Sequence, residues 1–333
     1  MKPSVSILLP LYNGERFVEG AIRSVLDQEF SDWELLVQDD GSTDHGPAIV
    51  EALADPRVRL ERNMSNLHIA RTINAALARA EGSYIKLLAQ DDRMLPGCLA
   101  RQVQALAAHP EANLSIALPL FIDKEDHRMD WINERIAPFY RSIVGVHAAD
   151  SFLALLLRFG CFMATISSAL IRAEALRNHG GFDARFFICL DWDAWIRLSS
   201  SSSVVIGEVG DLEFREHGAR ETMNPDRILV NQRETYLCIQ ETLRALPDRT
   251  ARQLRLEVPR IYGAVAIHSA MKEWMTGKKE VARGRLGVLR ENGGLGLPVF
   301  YWALSLPGRL GRRVIGRSRD LGSIENWRRN QTR

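Results

Sequence analysis

Cysteine is scarce in this chain: four residues, Cys98, Cys161, Cys189 and Cys238, among 333. Their spacing matches no metal-binding pattern, so neither a disulfide framework nor a structural zinc site is expected. Reduced thiols in a cytosolic protein are the simpler reading. Glycine and proline are modest, at 24 and 13, which excludes collagen-like and low-complexity architectures. Net charge is almost lacking. Lys plus Arg is 43 against 41 for Asp plus Glu, and the balance of +2 makes no general case for nucleic-acid binding. Long apolar runs are missing too. No stretch reaches the roughly 18 uninterrupted apolar residues of a membrane span, and residues 1–4 run into a strand-like stretch too short for the apolar core of a signal peptide. The expected location is the cytoplasm.

What is present is an ordinary globular composition, 46% apolar and 25% charged. The length suggests two domains, or one large α/β domain with an extension. The first half alternates strand and helix signals. Val5-Ser6-Ile7-Leu8-Leu9 suits a buried parallel strand, and Phe17, Val18, Ala21, Ile22, Val25 and Leu26 then recur at helical spacing across 15–28. A second strand at 33–37 ends in Asp39-Asp40-Gly41-Ser42-Thr43-Asp44. A helix over 44–54, a strand at 58–60 and a helix over 67–80 follow, and a strand at 84–88 runs into Gln90-Asp91-Asp92-Arg93. This alternation predicts a parallel sheet with right-handed crossovers, whose ligands sit at the carboxyl ends of the strands. The polar clusters at 10–13, 39–40 and 91–92 all fall there.

From about 113 to 218 the pattern loosens. It holds strand-like runs at 114–118 and 167–171, an apolar helix at 151–159, and a helix opening near Asp191. Beyond about 224 it becomes helical, over 226–246 and 249–275. Residues 295–305 are mostly apolar, and from Pro307 onward eight arginines stand against two acids. That tail reads either as an interfacial membrane anchor or as a small helical subdomain with a basic end. There is no internal repeat.

Several segments together resemble the family 2 glycosyltransferases of the GT-A fold. They are Val5 through Asn13, Leu36 through Asp44, and Ala80-Glu81-Gly82-Ser83-Tyr84-Ile85 leading to Asp91-Asp92. Gly180-Gly181-Phe182-Asp183, Leu190-Asp191-Trp192-Asp193-Ala194-Trp195-Ile196-Arg197 and Arg215-Glu216-His217 complete the set. The resemblance covers about 4–218 and implies a mostly parallel, Rossmann-like sheet flanked by helices. It also implies a division into a catalytic domain, 1–222, and a helical extension, 223–333. The nucleotide-binding half would be about 1–110 and the acceptor half about 111–222.

The resemblance also implies roles. Pro10 and Tyr12 would line the nucleotide pocket, with Tyr12 packed on the base, Asp40 accepting from it and Glu15 a weaker neighbour. A core aromatic at Tyr12, and a turn with a helix cap at 39–44, are the bland readings. Asp91-Asp92 matches an acidic metal-binding motif for Mn²⁺ or Mg²⁺. Asp92 would meet the cation, Asp91 the donor sugar or ribose, and His217 would be a third ligand or a structural histidine. Adjacent carboxylates repel each other, which makes a bare pair unfavourable. Arg93 stands where many members carry a further acid, and would face the diphosphate. Asp191 would be the catalytic base, or simply the helix N-cap. Asn74 reads as a packing position, and Trp192 and Trp195 as core.

The activity implied is inverting, metal-dependent transfer of a sugar from a UDP- or dTDP-sugar to a saccharide or lipid-linked saccharide, in bacterial surface-polysaccharide assembly. The enzyme would work in the cytoplasm or on the inner face of the membrane, which it would touch through 295–333. The Gln-x-x-Arg-Trp motif of processive synthases is missing. The rivals are a sugar nucleotidyltransferase, which would need a Gly-rich basic loop after the first strand, and an inactive nucleotide-sugar binder.

Overall fold

A run as apolar as Val5–Leu11 is stable only where both faces of a strand are covered. In the computed structural model, which describes residues 2–163, 165–217 and 227–292, this strand (β1) is buried inside a nine-stranded mixed sheet. It pairs in parallel with β2 (Trp33–Asp39) on one side and β4 (Tyr84–Leu87) on the other, and β3 (Val58–Arg62) lies in parallel outside β2. The sheet continues through β8 (Ala169–Arg172), which is antiparallel both to β4 and to the next strand, β6 (Ala112–Ile122). It then reaches β9 (Ser203–Arg215), parallel to β6. The short strands β5 (Arg93–Met94) and β7 (Gly145–His147) pair antiparallel with β9. The chain leaves β1 for β2 on one side and later returns to β4 on the other. That reversal opens a crevice at the carboxyl end of β1.

Helices α1 (Val18–Leu26), α2 (Gly46–Ala52) and α3 (Ile69–Arg79) make the crossovers, and α4 (Cys98–Ala108) follows β5. The helix expected over 15–28 starts at Val18, because the N–H groups of Phe17 and Val18 both bond Gly14 O and close a turn first. The loosely patterned middle hides α5 (Asp130–Ile143), which carries Pro138 in its interior and Trp131 67% exposed. It is followed by α6 (Ala149–Phe159), α7 (Ala173–Asn178) and α8 (Leu190–Ser199).

The chain divides into two compact units. The first comprises 1–152 and 163–217; the second comprises 153–162 with the described part of 218–333. The first unit ends a few residues before the expected limit at 222, and the second also takes in the later part of α6. It holds α9 (Ile228–Ala245), α10 (Asp248–Val258), α11 (Ala264–Met275) and α12 (Lys279–Glu291). The single helix expected over 249–275 is two, joined by a wider turn at Pro259–Gly263, where proline offers no N–H to the preceding turn. Arg158 pairs with Glu257 at 2.9 Å and Arg285 with Glu273 at 2.8 Å within this unit. The tail at 295–333 lies outside the described residues. Among those described, no helix is long and apolar enough to cross a membrane.

Candidate active site

At the end of β1 the chain reverses through 12–14, and two neighbouring segments lock the loop. Tyr12 N–H donates to Gln90 Oε1 at 2.8 Å, and Gln90 Nε2 donates back to Tyr12 O at 3.1 Å. Asn13, left-handed at φ 47°, donates its N–H to Ser42 Oγ at 2.9 Å and accepts from Thr43 N–H at 2.9 Å. A Cβ on Gly14 would lie 2.5 Å from Gln90 Oε1, so a larger residue would push this closure apart. Held by its backbone, Tyr12 is 46% exposed and is no core aromatic. Pro10 sits within β1 opposite Gln38.

Asp40 follows β2, and its N–H donates to Leu11 O at 2.7 Å. Its Oδ1 accepts from Leu67 N–H at 2.7 Å and from Asn63 Nδ2 at 2.8 Å. Among the described residues, none donates to Oδ2. Asp39 instead serves the turn: Oδ1 accepts from Ser42 N–H at 3.1 Å, and Arg62 Nε lies 2.8 Å from Oδ2 as an ion pair without hydrogen-bond alignment. Glu15 Oε2 accepts from His45 N–H at 3.0 Å while Glu15 N–H donates to Asp44 Oδ2 at 2.8 Å. Glu15 thereby braces the loop after β1 against the turn at 44–45.

Beyond β4 the two adjacent carboxylates part. Asp92 is 0% exposed, and its Oδ2 accepts from the hydroxyls of Thr165 at 2.5 Å and Ser167 at 2.7 Å. Its Oδ1 accepts from Arg215 N–H at 3.1 Å. Asp91 Oδ2 lies 2.8 Å from His217 Nε2. Asp92 belongs to the interior, where hydrogen bonds satisfy its charge, and Asp91 stands with the histidine.

Arg215 organises this corner. Its Nε donates to Asp91 O at 2.9 Å, its guanidinium lies 4.9 Å over the Phe17 ring, and the His217 ring packs against that same ring at 5.1 Å. Arg93 pairs with Glu213 at 2.7 Å and Asp126 at 3.1 Å. Burial opposes ionisation of Asp126, but Arg215 and Arg93 hold its carboxyl below the ordinary range.

Asp191 is the second residue of α8. The cap is Cys189, so the N-cap reading of Asp191 fails, and Asp191 Oδ1 accepts from Trp192 N–H at 2.7 Å. Asp193 pairs with Arg197 at 2.7 Å, and Trp192 and Trp195 are buried, as read from the sequence. The helix N-terminus favours the negative charge on Asp191. The segment leading to it is tied to α3. Asn74 Nδ2 donates to Phe182 O at 2.7 Å, and Phe182 N–H donates to Asn74 Oδ1 at 2.9 Å. The Phe187 ring meets His68 edge-on at 4.9 Å, and His68 adjoins Leu67, whose N–H holds Asp40. A chain of contacts thus links the Asp40 loop to the segment carrying Asp191.

A carboxylate oxygen and an imidazole nitrogen, Asp91 Oδ2 and His217 Nε2, form a donor pair that suits Mn²⁺ or Mg²⁺. Among the described residues no third His, Cys, Asp or Glu joins them.

The family model for glycosyl transferase family 2 matches residues 6–180, more than half of the chain. The chain belongs to glycosyl transferase family 2. Among curated relatives, this family 2 chain is 37% identical over 102 residues to the UDP-Glc:alpha-D-GlcNAc-diphosphoundecaprenol beta-1,3-glucosyltransferase WfgD of Escherichia coli, a match covering 31% of this chain and 40% of WfgD. The matches to the named glycosyltransferases span about two-fifths of their lengths. Of solved structures, S. aureus TarS 1–349 in complex with UDP-GlcNAc is similar at TM-score 0.59 and 18% identity, over 78% of this chain and 71% of that one. The mannosyltransferase PcManGT from Pyrobaculum calidifontis, in complex with GDP-Man and Mn²⁺, is similar at TM-score 0.56 and 16% identity, over 98% and 87%. At such identities the likeness establishes the fold, which is GT-A.

Several site residues of this family 2 chain escape a sequence reading: Gln90, Thr165, Ser167, Lys86 and the full reach of Arg215. One signal was available. Lys86 interrupts the apolar strand Tyr84-Ile85-Lys86-Leu87-Leu88, and a lysine there must be satisfied inside the protein. Burial pushes its ammonium below the ordinary range, and pushes the neighbouring Cys98 thiol up.

Proposed function

We propose that this family 2 glycosyltransferase moves a sugar from a nucleotide-diphosphate donor to a hydroxyl of a saccharide or lipid-linked saccharide, with inversion at the anomeric carbon. The observation that carries the reading is the Asp91–His217 pair, 2.8 Å apart, at the same sheet edge as Asp40. With Asp40 Oδ1 already accepting two N–H groups, Oδ2 is the oxygen offered to a ligand donor such as the N3–H of uracil or thymine. The exposed Tyr12 ring supplies the face against which a base packs. Both features favour a UDP- or dTDP-sugar.

Asp91 and His217 would hold the divalent cation, which when bound neutralises charge developing on the departing diphosphate. Asp191 takes the proton of the acceptor hydroxyl as that oxygen attacks the anomeric carbon. One such base acting on the acceptor hydroxyl, opposite the departing diphosphate, gives inversion in a single displacement. Relatives named for teichuronic acid, colanic acid and diphosphoundecaprenol-linked glycan synthesis support a surface-polysaccharide acceptor and a site of action on the inner face of the membrane. The nucleotidyltransferase rival lacks support, since Tyr12-Asn13-Gly14 is not a Gly-rich basic loop.

The test is a transfer assay with a panel of nucleotide sugars, paired with calorimetry of UDP binding in Mn²⁺. Asp191→Asn is expected to lower turnover roughly 10²–10⁴-fold while UDP affinity stays near wild type. Undiminished turnover would remove Asp191 as the base.

A further inference from the structure

Lys86 lies in β4 at 0% exposure, and an ammonium in such a place must spend its donors on the protein. Its Nζ donates to Gln102 Oε1 at 2.7 Å and to Ser167 O at 2.7 Å. Gln102 is itself fixed, because its Nε2 donates to Ser115 O at 3.1 Å and Ser168 O at 2.9 Å. Ser167 is therefore gripped at both ends. Its carbonyl accepts from the cation, while its hydroxyl accepts from Ala89 N–H at 2.8 Å and donates to Asp92 at 2.7 Å.

A buried cation and a buried carboxylate are thus joined through one serine. Each charge alone would be expensive in the interior, and each is compensated by the other across Ser167. From Asp92 the connection continues outward. Arg215 N–H binds Asp92, Arg215 Nε binds Asp91 O, and His217 stands two residues further on.

We infer that Lys86 is a positioning residue: through Ser167 and Asp92 it sets the placement of Asp91 and His217. The inference rests on the reading of that pair as the cation-holding pair. It adds that the pair's geometry depends on an ammonium that touches neither residue. The turn at Ile166–Ser168, and not only the acidic segment after β4, is then part of the site.

Two measurements on the full chain test this. The first is a double-mutant cycle on chemical unfolding with Lys86→Met, Asp92→Asn and the pair. Because Ser167 joins the two side chains, a relay predicts that the double variant loses clearly less stability than the two single losses added. Simple additivity overturns the relay. The second is retention of Mn²⁺, read as loss of the free-ion electron paramagnetic resonance signal, which a merely structural lysine would leave unmoved. Lys86→Met, and the milder Ser167→Ala should the first variant fold poorly, are expected to weaken Mn²⁺ retention roughly 10–100-fold. Retention equal to wild type in a folded variant overturns the positioning role. Should wild type itself fail to retain Mn²⁺, the cation reading of Asp91 and His217 fails, and the cycle alone decides the relay.

Discussion

Asp92 and Asp91 are adjacent and chemically identical, yet the structure requires opposite responses to their removal. Asp92 accepts two hydroxyls and one backbone N–H at 0% exposure. Asp92→Ala takes away a buried charge whose partners remain. Such a loss costs about 3–5 kcal/mol when one member of a buried charged network is deleted. The cost stays near that range and not above it, because Thr165 Oγ1 and Ser167 Oγ also lie 3.2 Å from each other and can exchange a hydrogen bond. At roughly 2–4 °C per kcal/mol for a unit of this size, the midpoint should fall by about 6–20 °C. Asp91→Ala removes a carboxylate whose side chain keeps 13% exposure and pairs with His217, so a smaller loss than for Asp92→Ala is expected. Retention of Mn²⁺ should instead collapse, because the carboxylate proposed to hold the cation is gone. Differential scanning calorimetry and a Mn²⁺ titration on both variants separate the effects. If Asp91→Ala unfolds as early as Asp92→Ala, or if Asp92→Ala melts with wild type, the assignment of one carboxylate to the interior and the other to the site is wrong.

Two further outcomes are open to measurement. The Tyr236 hydroxyl in α9 is buried with no hydrogen-bond partner among the described residues, and burial pushes its pKa up to about 12. An unfolded tyrosine ionises near pH ~10, so the unfolded state sheds this proton first. The contribution is whole below that pH and declines by about 1.4 kcal/mol per pH unit up to the folded value. Tyr236→Phe should remove that decline and raise stability at neutral pH by about 1 kcal/mol; alkaline unfolding that matches wild type rejects this account. Deleting residues 294–333 should reduce flotation with anionic vesicles, since each near-surface arginine adds about 1 kcal/mol. Unchanged flotation ends the anchor reading.

Much of the catalytic unit was legible from local pattern. Strand runs at 5–9, 33–37, 58–60 and 84–88 correspond to β1 to β4, and the crossover helices fall where helical spacing placed them. Less was legible in the middle. There β9 carries charged residues among its apolar ones, and β6 and β9 pair with shifts of register that break simple alternation. The helix α5 has a proline in its interior and a large exposed tryptophan, so neither of its periodic signals is clean.

By itself the sequence determined that strands alternate with helices and that acidic clusters end β2 and β4. Run length and periodicity are local properties that every compact state of the chain must respect. Which carboxylate of Asp91-Asp92 turns inward was decided only by tertiary structure. The donors that capture Asp92 come from Thr165, Ser167 and Arg215, remote in the chain and brought alongside β4 by the pairing of β8 and β9 into the same sheet. Neighbouring residues leaving a strand point in different directions, and nothing in their own identity says which direction will find the hydroxyls.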